Sequence, residues 1–295
     1  MIREKINRKP NAILTSDWHL REDTPTCFTG DWYKEQWVAL EVIKLHQLKY
    51  NCPVIHAGDL FHHWKPSPWL LSKTIQYLPN KFYTILGQHD LPQHNLDLIE
   101  KSGVWTLIEA GKVKLLRECH YGQKPNIEYY AEAEITGFNK RILVWHHLTY
   151  LKKPFPGASV GIARNTLKRY HQFDLIVTGD NHTSFTTEYE GRRLVNPGNL
   201  TRQTADQIDF KPNVWLWYAD TNDVERVYLP IQKGVISREH IERKQKHDKR
   251  IDAFISKLDN DWNAELSFKD NLVIFKKENK VEKSIMEIIY ESLER

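Results

Sequence analysis

The sequence predicts an α/β fold built on a parallel sheet, and two observations predict it. Short apolar runs alternate with segments whose apolar residues recur at helical spacing, which is the pattern of strands joined by crossover helices. The runs are compact and bounded by Gly, Asp or Asn, as buried strands entering loops are.

Taken in order, residues 12–15 form the first strand and end in Ser16, Asp17, Trp18 and His19. Residues 31–50 carry Val38, Val42, Leu45 and Leu48 at helical spacing, so this stretch is a helix with those residues as its apolar stripe. Residues 54–57 form a second strand ending in Gly58 and Asp59. Ser67 and Pro68 open a second helix, as capping chemistry prefers. The run FYTIL then stops at Gly87, followed by Gln88, His89 and Asp90. Two further strand-like runs occupy residues 129–147, the second ending in His146 and His147, and FDLIVT runs into Gly179, Asp180, Asn181 and His182. GRRLVNPGNLTR, NVWLWYAD and VERVYLP alternate with period two and read as hairpin strands.

After Pro230 the composition shifts to charged, helix-patterned sequence, which sets a boundary near residue 231. The expected domains are 1–230 and a small α+β or helical extension, 231–295. In the extension, residues 266–295 read as a strand or hairpin followed by a closing helix.

Bulk properties narrow the function classes. The chain has 295 residues, is 40% hydrophobic and carries a net charge of +4, an ordinary globular balance that leaves an anionic partner open. Three scattered cysteines argue for reduced thiols and a cytoplasmic protein. No apolar run is long enough to span a membrane, and the basic N-terminus lacks the apolar core of a signal peptide. Fourteen histidines justify a search for metal or acid–base clusters.

That search finds one pattern. Five strands end in potential ligands: Asp17 and His19; Asp59; Gln88 and His89; His146 and His147; Asp180 and His182. In such sheets ligands gather at the carboxyl ends of strands, so these residues converge on one rim. Each element alone reads more readily as a cap or solvated turn; the recurrence at successive strand ends points to a metal site. A mixed carboxylate and imidazole set without cysteine suits Mn, Fe or Zn.

The segments SDWH, GDLFHHWKPS, GQHD, ILVWHH and GDNH resemble the successive signatures of the calcineurin-like metallophosphoesterases. GDLFHHWKPS and the later VNPGNLTR resemble the branch of SbcD-type DNA double-strand-break repair nucleases. The resemblance covers roughly residues 12–230 and implies a four-layer αββα sandwich. It implies two divalent ions, with Mn2+ favoured, sharing a hydroxide that attacks phosphorus. Asp59 would bridge them; Asp17, His19 and His182 would complete the first ion, and Gln88, His146 and Asp180 the second. His89 would act as general acid, with Asp90 holding its other ring nitrogen. His62, His147 and Arg202 would touch substrate, although exposed or solvated roles fit them as well.

Two positions depart from the family pattern. Gln88 stands where Asn is usual, and Asp180 where the first His of Gly-His-x-His is usual; both keep a ligand atom and leave the metal's identity open. The implied function is DNA hydrolysis, as an exonuclease, an endonuclease or both, in repair or recombination. The alternatives are a phosphatase or phosphodiesterase acting on a small molecule or protein, and a non-catalytic subunit that binds DNA or a partner. The branch also implies an SMC-type, SbcC-like ATPase partner docking on the C-terminal helices, and a homodimer is a further expectation.

Overall fold

The computed structural model describes residues 8–116, 130–134, 140–154, 161–261, 268–279 and 281–293. They fall into two compact units, residues 1–236 and 237–295.

In chain order, the first unit runs β1 (Ala12–Thr15), α1 (Trp32–Tyr50), β2 (Val54–His56), α2 (Pro68–Tyr77), β3 (Phe82–Thr84), α3 (Gly103–Glu109) and β4 (Lys114–Leu115). It continues with β5 (Tyr130–Glu134), β6 (Arg141–Trp145), β7 (Thr149–Tyr150), β8 (Gly161–Ile162), α4 (Ala163–Arg169) and β9 (Leu175–Thr178). β10 (Phe185–Tyr189), β11 (Arg192–Asn196), β12 (Asn213–Tyr218) and β13 (Asp223–Tyr228) complete it.

Two mixed sheets result. One has the order β13-β12-β1-β2-β3-β4, the other β10-β11-β9-β6-β5. β1 to β4 are mutually parallel, as are β6, β9 and β11. The apolar faces of the sheets meet in a central core that includes Leu14, Ile55, Val144, Val177 and Trp217. The other face of the first sheet packs under α1, α2 and α3 through residues such as Ile43, Leu70, Phe82 and Leu107. Leu143, Ile176, Leu167 and Phe173 fill the outer face of the second sheet beneath α4. This is the expected four-layer α/β sandwich.

Local chemistry explains the helix starts. Asp31 accepts from the backbone N–H of Lys34 at the head of α1, and Ser67 from that of Leu70 at the head of α2, with Pro68 in the first turn. The apolar stripe expected on α1 is not its buried face. Leu45 and Leu48 are exposed, whereas Trp32, Gln36, Leu40, Ile43 and Gln47 are buried. Polar residues on the inner face disguised it.

The second unit is helical: α5 (Glu239–Asp261), α6 (Phe268–Asn279) and α7 (Lys283–Leu293). The strand or hairpin expected near residue 270 is α6. LVIF looks like a β-run, but only Leu272 and Phe275 are buried, against Met286, while Val273 and Ile274 are exposed. A three-residue step inward is a helix period.

Candidate metal centre

Because β1, β2, β3, β6 and β9 are aligned, their carboxyl ends deliver the ligand-bearing loops to one rim. The 16–20 loop runs beside the 58–62 loop. Asp17 N–H donates to Gly58 O, His19 N–H to Asp59 O and Leu20 N–H to Leu60 O, at 2.9–3.0 Å. The second sheet joins them: His146 Nδ1 donates to Ala57 O at 2.7 Å, and Asp180 N–H donates to Asp17 Oδ1 at 3.0 Å.

The backbone is strained where the candidate ligands sit. Asp17, His19, Asp59 and Asp180 have φ of 48°, 44°, 60° and 71°. Such left-handed residues cost of order 1–3 kcal/mol each and cluster at functional sites. The packing is close enough to require glycine at Gly58, with φ +92°, where a Cβ would stand 2.6 Å from His146 Nδ1. At Gly87 a Cβ would collide with the Asp59 carboxylate.

Asp59 occupies the centre. Its Oδ1 accepts from His89 N–H at 2.9 Å. Its Oδ2 lies 3.3 Å from His146 Nε2 and 3.6 Å from His19 Nε2, between two imidazoles. Asp17, Asp59 and His146 offer ligand atoms within 4.8 Å of one another, and so do Asp17, His19 and His182. Asp17 Oδ2, both ring nitrogens of His19, Asp59 Oδ2 and His146 Nε2 are buried without a hydrogen-bond partner. Leaving such groups unpaired costs about 1–3 kcal/mol each, and divalent cations would satisfy the two carboxylate oxygens, His146 Nε2 and one nitrogen of His19. The residues present therefore fit divalent metal.

The electrostatics agree. Burial holds the His19 imidazole well below its ordinary pKa, so it is neutral, as a ligand must be. Burial opposes charge on Asp59, yet the neighbouring His146 and His19 outweigh it and hold the carboxyl well below the usual range. Burial likewise opposes charge on His146, but Asp59 lifts its pKa to about 10. A cation entering here would take over the position of that proton.

Gln88 and Asp180, the two departures from the family pattern, are bonded to each other: Gln88 Nε2 donates to Asp180 Oδ1 at 3.1 Å. Each keeps one oxygen that does not take part in this bond. His182, Gln88 and Asp180 form the more open edge of the site.

His89 faces the ligands, its ring 4.8 Å from His19 and stacked on His62 at 5.6 Å. His19, His62 and His89 form a third close group, and burial lowers the His62 pKa to about 4. The Nδ1 of His89 donates to the carbonyl of His62 at 2.9 Å.

Asp90 therefore does not orient His89. Its buried carboxylate accepts from the backbone N–H groups of Asp59, Leu60, Phe61 and Gly87 at 3.0–3.3 Å. Burial and the charge of Asp59 push its pKa up to about 7 against those N–H donors. It organises two loops. Arg202 is not at the substrate either: it is 3% exposed and pairs with buried Glu35 at 3.1 Å. His147 lies at the rim, stacked on Trp145 with ring centroids 3.9 Å apart.

Sequence reading missed the frame that holds Asp17 and His19. Gln203 Nε2 donates to Trp18 O and His19 O at 3.4 Å, and Gln36 Nε2 to Arg21 O at 2.9 Å. Glu35 on the same helix holds Arg202, so α1 braces both flanks of the loop. Buried Glu and Gln on an otherwise apolar helix face were the available signal.

The calcineurin-like phosphoesterase superfamily domain matches residues 11–211. The chain belongs to this superfamily. Over 169 residues it is 27% identical to the DNA double-strand break repair protein Mre11 of Haloferax volcanii, across 53% of this chain and 38% of that relative's length. Similar solved structures include an archaeal phosphodiesterase, with TM-score 0.42 and 13% identity over 74% of this chain and 99% of that one. Vacuolar Protein Sorting 29 from Cryptosporidium parvum has TM-score 0.34 and 16% identity over 75% and 97%. Among the described residues no helix is long and apolar enough to cross a membrane.

Proposed function

We propose that the chain is a two-metal phosphodiesterase that hydrolyses DNA in repair or recombination. The observation that carries this reading is the set of unpartnered buried atoms on Asp17, His19, Asp59 and His146, faced by the imidazole of His89. The GDLFHHWKPS segment and the similarity to an Mre11 repair protein favour DNA among phosphoesters.

Asp17, His19 and His182 would hold one ion and Gln88, His146 and Asp180 the other, with Asp59 shared and Mn2+ the favoured metal. When bound, divalent ions supply Lewis-acid polarisation of phosphoryl oxygen and a nucleophile at neutral pH. The chain's own residues do the rest. A carbonyl only accepts, so His89 Nδ1 carries the proton bonded to His62 O. The other nitrogen, Nε2, donates only in the imidazolium form. From there it would protonate the leaving oxygen. The His62 ring stacked on His89 limits its rotation, and His62 and His147 would line the path of the substrate phosphate.

The C-terminal unit would cap the site or receive an ATPase partner, and a homodimer is compatible with either role. One observation favours a second reading. The bond between Gln88 and Asp180 ties up one atom of each departing ligand. That suits a phosphoesterase with a modified second ion position, acting on a smaller ester, or a chain that only binds DNA or a partner.

The deciding experiment incubates the protein with end-labelled duplex and single-stranded DNA in Mn2+ or EDTA, beside Asp59→Asn. Metal-dependent cleavage that Asp59→Asn abolishes supports the nuclease. Intact DNA with turnover of a chromogenic phosphoester moves the assignment to the second reading.

A further inference from the structure

His62 and His89 hold neither ion of the proposed centre, yet with His19 they form a metal-ligating group of their own. Each of the three offers one ring nitrogen, and the three atoms lie within 4.8 Å of one another. The ring centroids are 4.8 Å (His19 to His89), 5.6 Å (His62 to His89) and 5.7 Å (His19 to His62) apart. His89 Nδ1–H is held by His62 O at 2.9 Å, which leaves the lone pair of that ring on Nε2. His62 Nδ1 and both nitrogens of His19 are buried without a hydrogen-bond partner, and the first ion would engage only one nitrogen of His19.

We propose that His19, His62 and His89 form a zinc site that competes with the first catalytic ion and switches the centre off. Binding needs only the three imidazoles; the inhibition rests on the nuclease reading, with His89 as proton donor.

The donor set selects the metal. The two ion positions carry Asp17, Asp59 and Asp180, and carboxylate oxygen suits Mn2+. The trio is imidazole alone, which suits Zn2+, and at a given nitrogen site zinc binds more tightly than manganese. Three histidines with a fourth position left to water is a coordination that zinc adopts in enzymes. Zn–N bonds of about 2.0–2.1 Å set neighbouring ligand atoms about 3.4 Å apart, so each ring moves by less than about 1 Å to close on the ion.

Counting lone pairs gives the consequence. A neutral imidazole has one, on one nitrogen. His19 Nε2 stands 3.6 Å from Asp59 Oδ2, beside the shared carboxylate. His19 therefore serves the first ion or an ion on the trio, and not both. Zinc on His89 Nε2 also takes the position of the proton that this nitrogen would pass to the leaving oxygen. A single ion would thus take a ligand from the catalytic pair and the proton from the acid.

The test titrates zinc into the full chain loaded with Mn2+ and counts both bound metals. Four proteins are compared: wild type, His62→Ala, Asp59→Asn and the double variant. Wild type should bind zinc and release manganese. Asp59→Asn damages the two-ion position and spares the trio, so it should still bind zinc. Adding His62→Ala to it should weaken that binding by at least about 10-fold, the smaller end of what losing even an outer partner of a metal costs. His62→Ala alone should bind Mn2+ as wild type does. Zinc should inhibit Mn2+-dependent DNA cleavage by wild type, and excess Mn2+ should relieve it. Zinc affinity that does not depend on His62 in either background would overturn the site, and the nuclease reading would stand if Mn2+-loaded wild type cuts DNA. Zinc bound through His62 that leaves cleavage unchanged or raises it would overturn the inhibition. His62-dependent zinc binding by protein that never cuts DNA would support the site and remove the nuclease reading.

Discussion

The loops from the first sheet and the edge formed by Gln88, Asp180 and His182 build one site in opposite ways. Around Asp17, His19 and Asp59 the side chains are buried, the backbone is strained, and neighbouring loops are laced by main-chain hydrogen bonds. Gln88 and His182 are exposed, and the side-chain amide of Gln88 donates to the half-exposed Asp180. Both departures from the family pattern fall on the open edge. A longer amide arm is tolerable where solvent lies on one side, and it would not be tolerable where a single Cβ already collides.

The largest test of this contrast is Asp59→Asn. It should lower metal-dependent cleavage by at least about 1,000-fold and reduce the number of ions bound, read by titration calorimetry. The comparison figure is the roughly 100–1,000-fold cost of deleting one preorganised electrostatic group elsewhere. His89→Ala should reduce kcat by about 100–10,000-fold while metal binding stays near wild type. Lost metal binding would show that His89 is a ligand.

The frame beneath the fixed half can be broken separately. Glu35→Met should cost about 3–5 kcal/mol in chemical denaturation, because Arg202 is left charged and buried. Arg202→Met added to it should recover much of that. Additive losses in the double variant would mean the pair does not act as a unit.

A pH measurement probes the floor of the same half. His56 is fully buried, its Nδ1 2.8 Å from Thr84 Oγ1, and burial lowers its pKa to about 3 from 6.5. The unfolded chain therefore takes up a proton below pH 6.5 that the native state refuses until about pH 3. The stabilisation is complete above pH 6.5 and falls with pH through that window. Between pH 6.5 and 5 the metal-free protein should lose about 2 kcal/mol that His56→Gln does not. The smallest effect belongs to the open edge: Gln88→Asn should change metal affinity by less than about 10-fold, and a larger change would make that edge as demanding as the buried half.

The strands were legible because buried parallel strands are continuous apolar runs, and the candidate ligands because each follows such a run. Roles were less legible than positions. Asp90 and Arg202 are polar residues beside the site, but their partners, the 58–61 backbone and Glu35, are remote in sequence. Nothing local distinguishes a carboxylate that faces an imidazole from one that gathers amides. The buried face of α1 was hidden for a related reason: its inward Glu35, Gln36 and Gln47 interrupt the apolar period. The C-terminal LVIF run shows the converse error, where apolar residues that stay exposed imitate a strand.

The Asp90 carboxylate also sets how the site comes apart. The amide protons of Asp59, Leu60, Phe61 and Gly87 share this one acceptor. They exchange with solvent only when it withdraws, so they form a single opening unit across two loops. Asp59 lies in one of those loops and His89 in the other. The central carboxylate and the His89 imidazole therefore become available in the same folding event, and partial opening leaves neither in place.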